Sequence, residues 1–106
     1  MNRDIEKEYI EKADFFKALA HPTRLFIIHA INDEKMSVKQ LAEKVGIDIS
    51  TMSKHLDILK KNRIIDGEKE KNFIYYSLAI PCVLDFMSCA AKSQKTENKN
   101  GKTQSN

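Results

Sequence analysis

The chain holds 106 residues, of which 42% are hydrophobic and 31% charged, with a net charge of +3. This is the size and make-up of one small globular domain; no apolar run could span a membrane, and two cysteines are too few for a disulfide scaffold. Three glycines and two prolines are few for a loop-rich all-β sandwich, so composition leans towards helix.

The N-terminus opens on Asn2, Arg3 and Asp4, with no apolar leader behind Met1, and a cytoplasmic, reducing setting is expected. Residues 4–20 read as a helix. Ile5, Tyr9, Ala13, Phe16, Leu19 and Ala20 recur at helical spacings, and charges fill the other face. His21 precedes Pro22 and so leaves the helical region, while Pro22 suits the first turn of a second helix reaching about Ile31. Leu25, Phe26, Ile27, Ile28, Ala30 and Ile31 make that helix apolar nearly all round, which predicts a buried, central position. Residues 32–36 read as a polar turn. Ser37 with Gln40 is a capping box, opening a third helix with Val38, Leu41, Ala42 and Val45 inward and Gly46 as its stop. Asp48 or Ser50 caps a fourth helix to about Asn62, with Met52, Leu56 and Leu59 inward and Ile58 beside them. Two helices joined by so short a glycine-bearing turn form a helix-turn-helix.

Ile64-Ile65 and Phe73–Leu78 then read as two strands around the polar run Asp66–Asn72, a β-hairpin. Pro81 opens a last helix, Cys82 to about Lys92, with Val83, Leu84, Phe86, Met87, Ala90 and Ala91 as its apolar residues. Residues 93–106 hold no apolar residue and are expected to form a disordered polar tail. The expected fold is therefore mainly α with a β-hairpin wing. It is a winged helix-turn-helix domain over residues 1–92, in the order four helices, two strands, one helix.

Positive charge concentrates in residues 36–72, with eight bases against six acids, and in the tail, with three lysines against one glutamate. A modest basic patch of this kind fits nucleic acid. On the fourth helix, Ser50, Thr51, Ser53, Lys54 and His55 form the candidate DNA-reading set. Short hydroxyl side chains at a recognition-helix N-terminus approach DNA closely and bond to phosphates or base edges. Within that set Lys54, like Lys60, Lys61 and Arg63, would mostly neutralise phosphates, and Lys69 and Lys71 keep basic character near the hairpin tip. The competing reading is a winged-helix module that binds protein. Such a groove should expose Leu, Phe or Met at 50–55, and the polar, cationic residues there favour DNA. Catalysis has no support: the sequence contains no Gly-rich phosphate loop, no H-E-x-x-H and no nucleophile elbow.

At Ala18-Leu19-Ala20-His21-Pro22-Thr23-Arg24-Leu25 the chain resembles the ArsR/SmtB family of winged-helix repressors. Gln40-Leu41-Ala42, Ser53-Lys54-His55-Leu56 and Tyr75-Tyr76-Ser77-Leu78 follow in the family's order, and the resemblance covers roughly residues 10–92. It implies a homodimer that binds an inverted-repeat operator on double-stranded DNA and releases it on meeting an effector. In the family that effector is commonly a metal or metalloid ion, and in some branches an oxidant or reactive sulfur species. Two of the family's metal sites have lost their ligands here. The Cys-x-Cys positions at the third helix fall on Ser37 and Lys39, and the Asp/His positions of the last helix fall near Ile80 and Ser93. The Gly-Arg pair common at the wing tip corresponds to Lys71-Asn72.

Cys82 and Cys89 remain as the candidate effector or redox residues. Seven residues apart, they share one helix face. The helix rise separates them by roughly 10.5 Å, beyond the roughly 7 Å within which two Cα atoms can be bridged. Across a two-fold axis their thiolates could instead take an arsenic-type metalloid, a soft metal ion or an intersubunit disulfide. The alternative is that both are small structural residues and nothing is sensed. His21 and His29 are isolated, and no metal site is assigned to them.

Overall fold

Asn2 starts the first helix, α1 (Arg3–Leu19): its side-chain oxygen accepts from the Asp4 N–H at 2.8 Å, and Asp4 and Glu6 sit at the positive end of the helix dipole. The computed structural model describes residues 1–100, with side-chain surroundings through Lys95. His21 caps α2 (Pro22–Asp33), its Nδ1 accepting from the Thr23 N–H at 3.1 Å. After α2 a two-residue strand, β1 (Met36–Ser37), leads into α3 (Val38–Val45). The capping box is formed in both directions: the Ser37 hydroxyl accepts from the Gln40 N–H at 3.2 Å, and the Gln40 side chain accepts from the Ser37 N–H at 2.9 Å. Gly46 ends α3 in the left-handed region, φ 83°, with its N–H on the Ala42 carbonyl. Asp48, not Ser50, caps α4 (Ile49–Lys61).

The wing is β2 (Ile65–Glu70) and β3 (Phe73–Leu78), antiparallel, with Ile65 opposite Leu78 and Glu70 opposite Phe73. Its turn is Lys71–Asn72, and Lys71 takes φ 57°. β1 pairs with the other edge of β3, so the sheet order is β1-β3-β2. α5 (Cys82–Asn100) closes the described chain. Among the described residues, no helix is long and apolar enough to cross a membrane.

The winged helix-turn-helix is the architecture the sequence pattern indicates, with three differences. The polar turn expected over 32–36 contains the start of β1 at Met36. The first wing strand runs to Glu70 instead of ending at Ile65, because an exposed edge strand needs no apolar alternation when its backbone pairs with β3. The last helix continues through 93–100, where nothing interrupts it before Gly101; the remainder of the expected tail, 101–106, lies outside the described residues.

The core is built from Ile27 and Ile28 of α2, Leu41 of α3, Met52, Leu56 and Leu59 of α4, and Ile64 and Ile65 entering the wing, all fully buried. α1 contributes Ala18 and Leu19, with Phe15 partly covered. Ile5, Tyr9 and Phe16, on the apolar stripe of α1, are about half exposed, as is Phe86 of α5. α2 is less enclosed than its composition suggests, since Phe26 keeps 43% of its surface.

Candidate nucleic-acid interface

The chemistry of α4 follows from which stripe each residue occupies. With Met52, Leu56 and Leu59 buried, the 100° step per residue puts Ser50, Lys54 and Lys61 on the outward stripe. Ile49, Ser53 and Lys60 fall on the flank towards the wing, and Thr51 and His55 on the opposite flank. Asp48 orders the first turn. One of its oxygens accepts from the Thr51 N–H at 2.9 Å and the other from the Ser50 hydroxyl at 3.2 Å. Hydrogen bonding from the Thr51 side chain and backbone holds the Asp48 carboxyl below the usual carboxylate range. Because the Ser50 proton is directed at Asp48, its oxygen lone pairs remain to accept from a base amino group.

Ser53 is half-buried and lines a cleft of about 450 Å³ between α4 and the wing, together with Ile49, Asn72, Ile74 and Tyr76. Lys54, Lys60, Lys69 and Lys71 are exposed, as phosphate contacts must be. Between the wing lysines, Glu70 is engaged by Lys35, which raises the Lys35 pKa through that hydrogen bond and sets a positive charge against the Glu70 carboxylate near the tip. Sequence reasoning missed this partner because Lys35 lies in what reads as a polar turn.

His55 stands apart from the other candidates. Its ring lies 4.6 Å from that of His21, and its Nδ1 lies 3.2 Å from an Arg24 guanidinium nitrogen. Arginine only donates, so Nδ1 accepts and the ring proton sits on Nε2. Burial, then the charges of His21 and Arg24, push the His55 pKa below its ordinary value, which keeps the ring neutral. Arg24 is itself fixed by the Ala18 carbonyl at 2.6 Å. The three residues tie the recognition helix to the α1–α2 junction, a role that the 31-residue separation of Arg24 and His55 hides from a linear reading.

Cys82 and Cys89 are both exposed and free, so neither is a buried core residue of the single chain. Cys82 lines an apolar cleft of about 400 Å³ with Phe15 and Phe16 of α1, Ile80, and Val83 and Phe86 of α5. The His29 ring donates to the Leu25 carbonyl within its own helix, at 2.9 Å.

Comparison with known proteins gives this geometry its context. A helix-turn-helix domain family matches residues 19–68, from the end of α1 into β2. The HTH-type transcriptional regulator Rv0081 of Mycobacterium tuberculosis is 33% identical over 88 residues, covering 82% of this chain and 77% of that protein. The chain belongs to the ArsR/SmtB family of winged-helix transcriptional regulators. The crystal structure of Rv0081 superposes with a TM-score of 0.75 at 30% identity, over 87% of this chain and 93% of that one. A second relative, the biofilm growth-associated repressor of Xylella fastidiosa, is 32% identical over 71% of this chain and 66% of its own length. The solution structure of the winged helix-turn-helix DNA-binding domain Mb0332 from Mycobacterium bovis shares the fold at a TM-score of 0.77, with 20% identity over 99% of this chain and 97% of that one. As an ArsR/SmtB-family member the protein is a DNA-binding transcriptional regulator of the repressor type, not an enzyme.

Proposed function

We propose that the protein is a cytoplasmic homodimeric repressor that binds an inverted-repeat operator and releases it when a thiol-directed effector acts at Cys82 and Cys89. Ser50 and Ser53 read the operator; Thr51 flanks them, His55 holds the helix in place, and Lys54, Lys60, Lys69 and Lys71 neutralise phosphates. The observation that carries the dimer is the exposed apolar surface shared by α1 and α5. Phe16 keeps 55% and Phe86 62% of their surfaces, around a cleft that a single chain leaves open. Two copies joined there bury those rings and bring α5 helices together.

Cys82 sits within that surface and Cys89 shares its helix face two turns on. Among the described residues, no three His, Cys, Asp or Glu side chains of one chain lie together as a metal site. An arsenic-type or soft metal ion would therefore take thiolates from both protomers, and an oxidant would instead take two electrons from a thiol pair to close an intersubunit disulfide. Either event alters the angle between protomers, and a dimer that no longer reaches both half-sites loses affinity.

The test is operator release by reduced protein exposed to arsenite-type compounds, soft metal ions, peroxide and polysulfide. Wild type should release DNA on at least one of them, and the double variant Cys82→Ser, Cys89→Ser should bind DNA but stay bound. Equal responses from the two proteins would place the effector site elsewhere.

A further inference from the structure

Ile49 is the first residue of α4, on the flank towards the wing, and keeps 51% of its surface. An exposed isoleucine at the start of a recognition helix is out of character for a face otherwise carrying Ser50, Ser53 and Lys54. It is not isolated. Across the cleft of about 450 Å³ stands Ile74 of β3, 45% exposed, with Val38 and Tyr76 forming the floor between them. The pleat puts Ile74 and Tyr76 on one face of β3, over Gly67 of β2; a Cβ at Gly67 would lie 3.2 Å from both side chains. The apolar surface is thus built by two elements that converge where the helix start meets the wing.

Its surroundings say what covers it. Lys39 lines the cleft with Ser53 and Asn72 as polar groups at its edge, and the bordering elements carry exposed Lys54, Lys60, Lys69 and Lys71 interspersed with Asp57, Glu68 and Glu70. An apolar strip with a lysine in its wall, on the flank of the helix that carries Ser53, fits a polyanion that carries an apolar group. In the DNA major groove that group is the C5-methyl of thymine, the only apolar feature among the four base edges.

We propose that Ile49 is a specificity-determining residue that reads a thymine methyl group in each half-site, with Ile74 backing the same methyl from the wing. This rests on α4 entering the major groove. The hydroxyls of Ser50 and Ser53 then share base reading with an apolar contact on the wing side of the helix, and the operator carries a thymine at that position.

The experiment starts from duplexes selected by the full-length wild-type protein out of a random DNA pool. Each thymine of the selected site is replaced in turn by uracil, which deletes the methyl and leaves base pairing intact, and affinities are measured by fluorescence anisotropy. For wild type, replacing the contacted thymine in a single half-site should weaken binding about fourfold, the equivalent of one buried methyl group at ~0.8 kcal/mol. Ile49→Ala should lose that sensitivity at the same thymine, while Ile49→Val keeps it; unchanged thermal melting shows that the variants are folded. Wild type insensitive to every replacement, or Ile49→Ala as sensitive as wild type, overturns the proposal. A wild type that enriches no sequence from the pool overturns the operator reading along with it.

Discussion

Replacing Gly46 with alanine isolates the energetics of the turn between α3 and α4. Gly46 sits at φ 83°, ψ 34°, and a Cβ built there meets no atom within 4 Å. The substitution therefore creates no collision, and its whole cost is that of forcing an L-residue into the left-handed region, about 1–2 kcal/mol. Alanine also narrows the unfolded ensemble, which returns roughly 0.4–1 kcal/mol. The net loss should be about 1 kcal/mol, a fall in Tm of roughly 4–8 °C for a domain of this size. Asparagine, which tolerates the left-handed region, should lose about half as much. Melting is followed by circular dichroism at one fixed protein concentration, since the proposed dimerisation would make Tm concentration-dependent. Well below the transition Gly46→Ala should bind DNA as wild type does, because its Cβ projects into open space and leaves α4 where it is. An alanine variant that melts with wild type, or one that loses DNA binding while fully folded, would refute the claim that this glycine acts only through backbone conformation.

Acid sensitivity should centre on His55. Its pKa is lowered in the fold, so the neutral ring is the stabilising form: its contribution is complete above the ordinary value of 6.5 and is lost as pH falls below that value. Chemical denaturation from about pH 7 to pH 5 should therefore show a decline that His55→Gln flattens, with His21 and Arg24 left in place. Phe86→Glu should leave a folded protein that sediments at the 12.2 kDa monomer mass where wild type sediments as a dimer; a wild type found only as monomer would remove the dimer. Lys60→Ala should weaken binding to operator and unrelated DNA alike and flatten the salt dependence by about two units in log–log slope, one for each protomer of the proposed dimer; an effect confined to the operator would make Lys60 a base reader.

Much of the fold is written in local signals. The Ser37–Gln40 box, the Gly46 stop and the Met52, Leu56, Leu59 stripe are each set by residues within one or two turns, and each element stands where those signals put it. β1 is two residues long, too short to show any period, and exists only because β3 arrives beside it. β2 reads as a loop because five of its six residues are exposed, so its strand character comes from pairing and not from burial. The site was legible as a set of residue types, not as directions. Ser50 and Lys54 face outward as DNA contacts should, but nothing near His55 in sequence announces Arg24 or His21. The spacing of α1 likewise marks an apolar stripe without saying that Ile5, Tyr9 and Phe16 stay uncovered by their own chain.

Ser37 has a double engagement that bears on how operators for such a protein change over time. It pairs with Tyr75 of the wing and, through its hydroxyl, caps the helix that leads into the reading helix. Wing and helix-turn-helix are consequently joined at Ser37 as well as through the shared core, so the gape between them is set within one chain. In the proposed dimer, the stretch of DNA gripped by each protomer would then be set by the monomer, whatever the arrangement of the two protomers. What remains adjustable is the spacer between half-sites. Under that proposal, central base pairs inserted into or deleted from the operator would change affinity without altering a single contacted base.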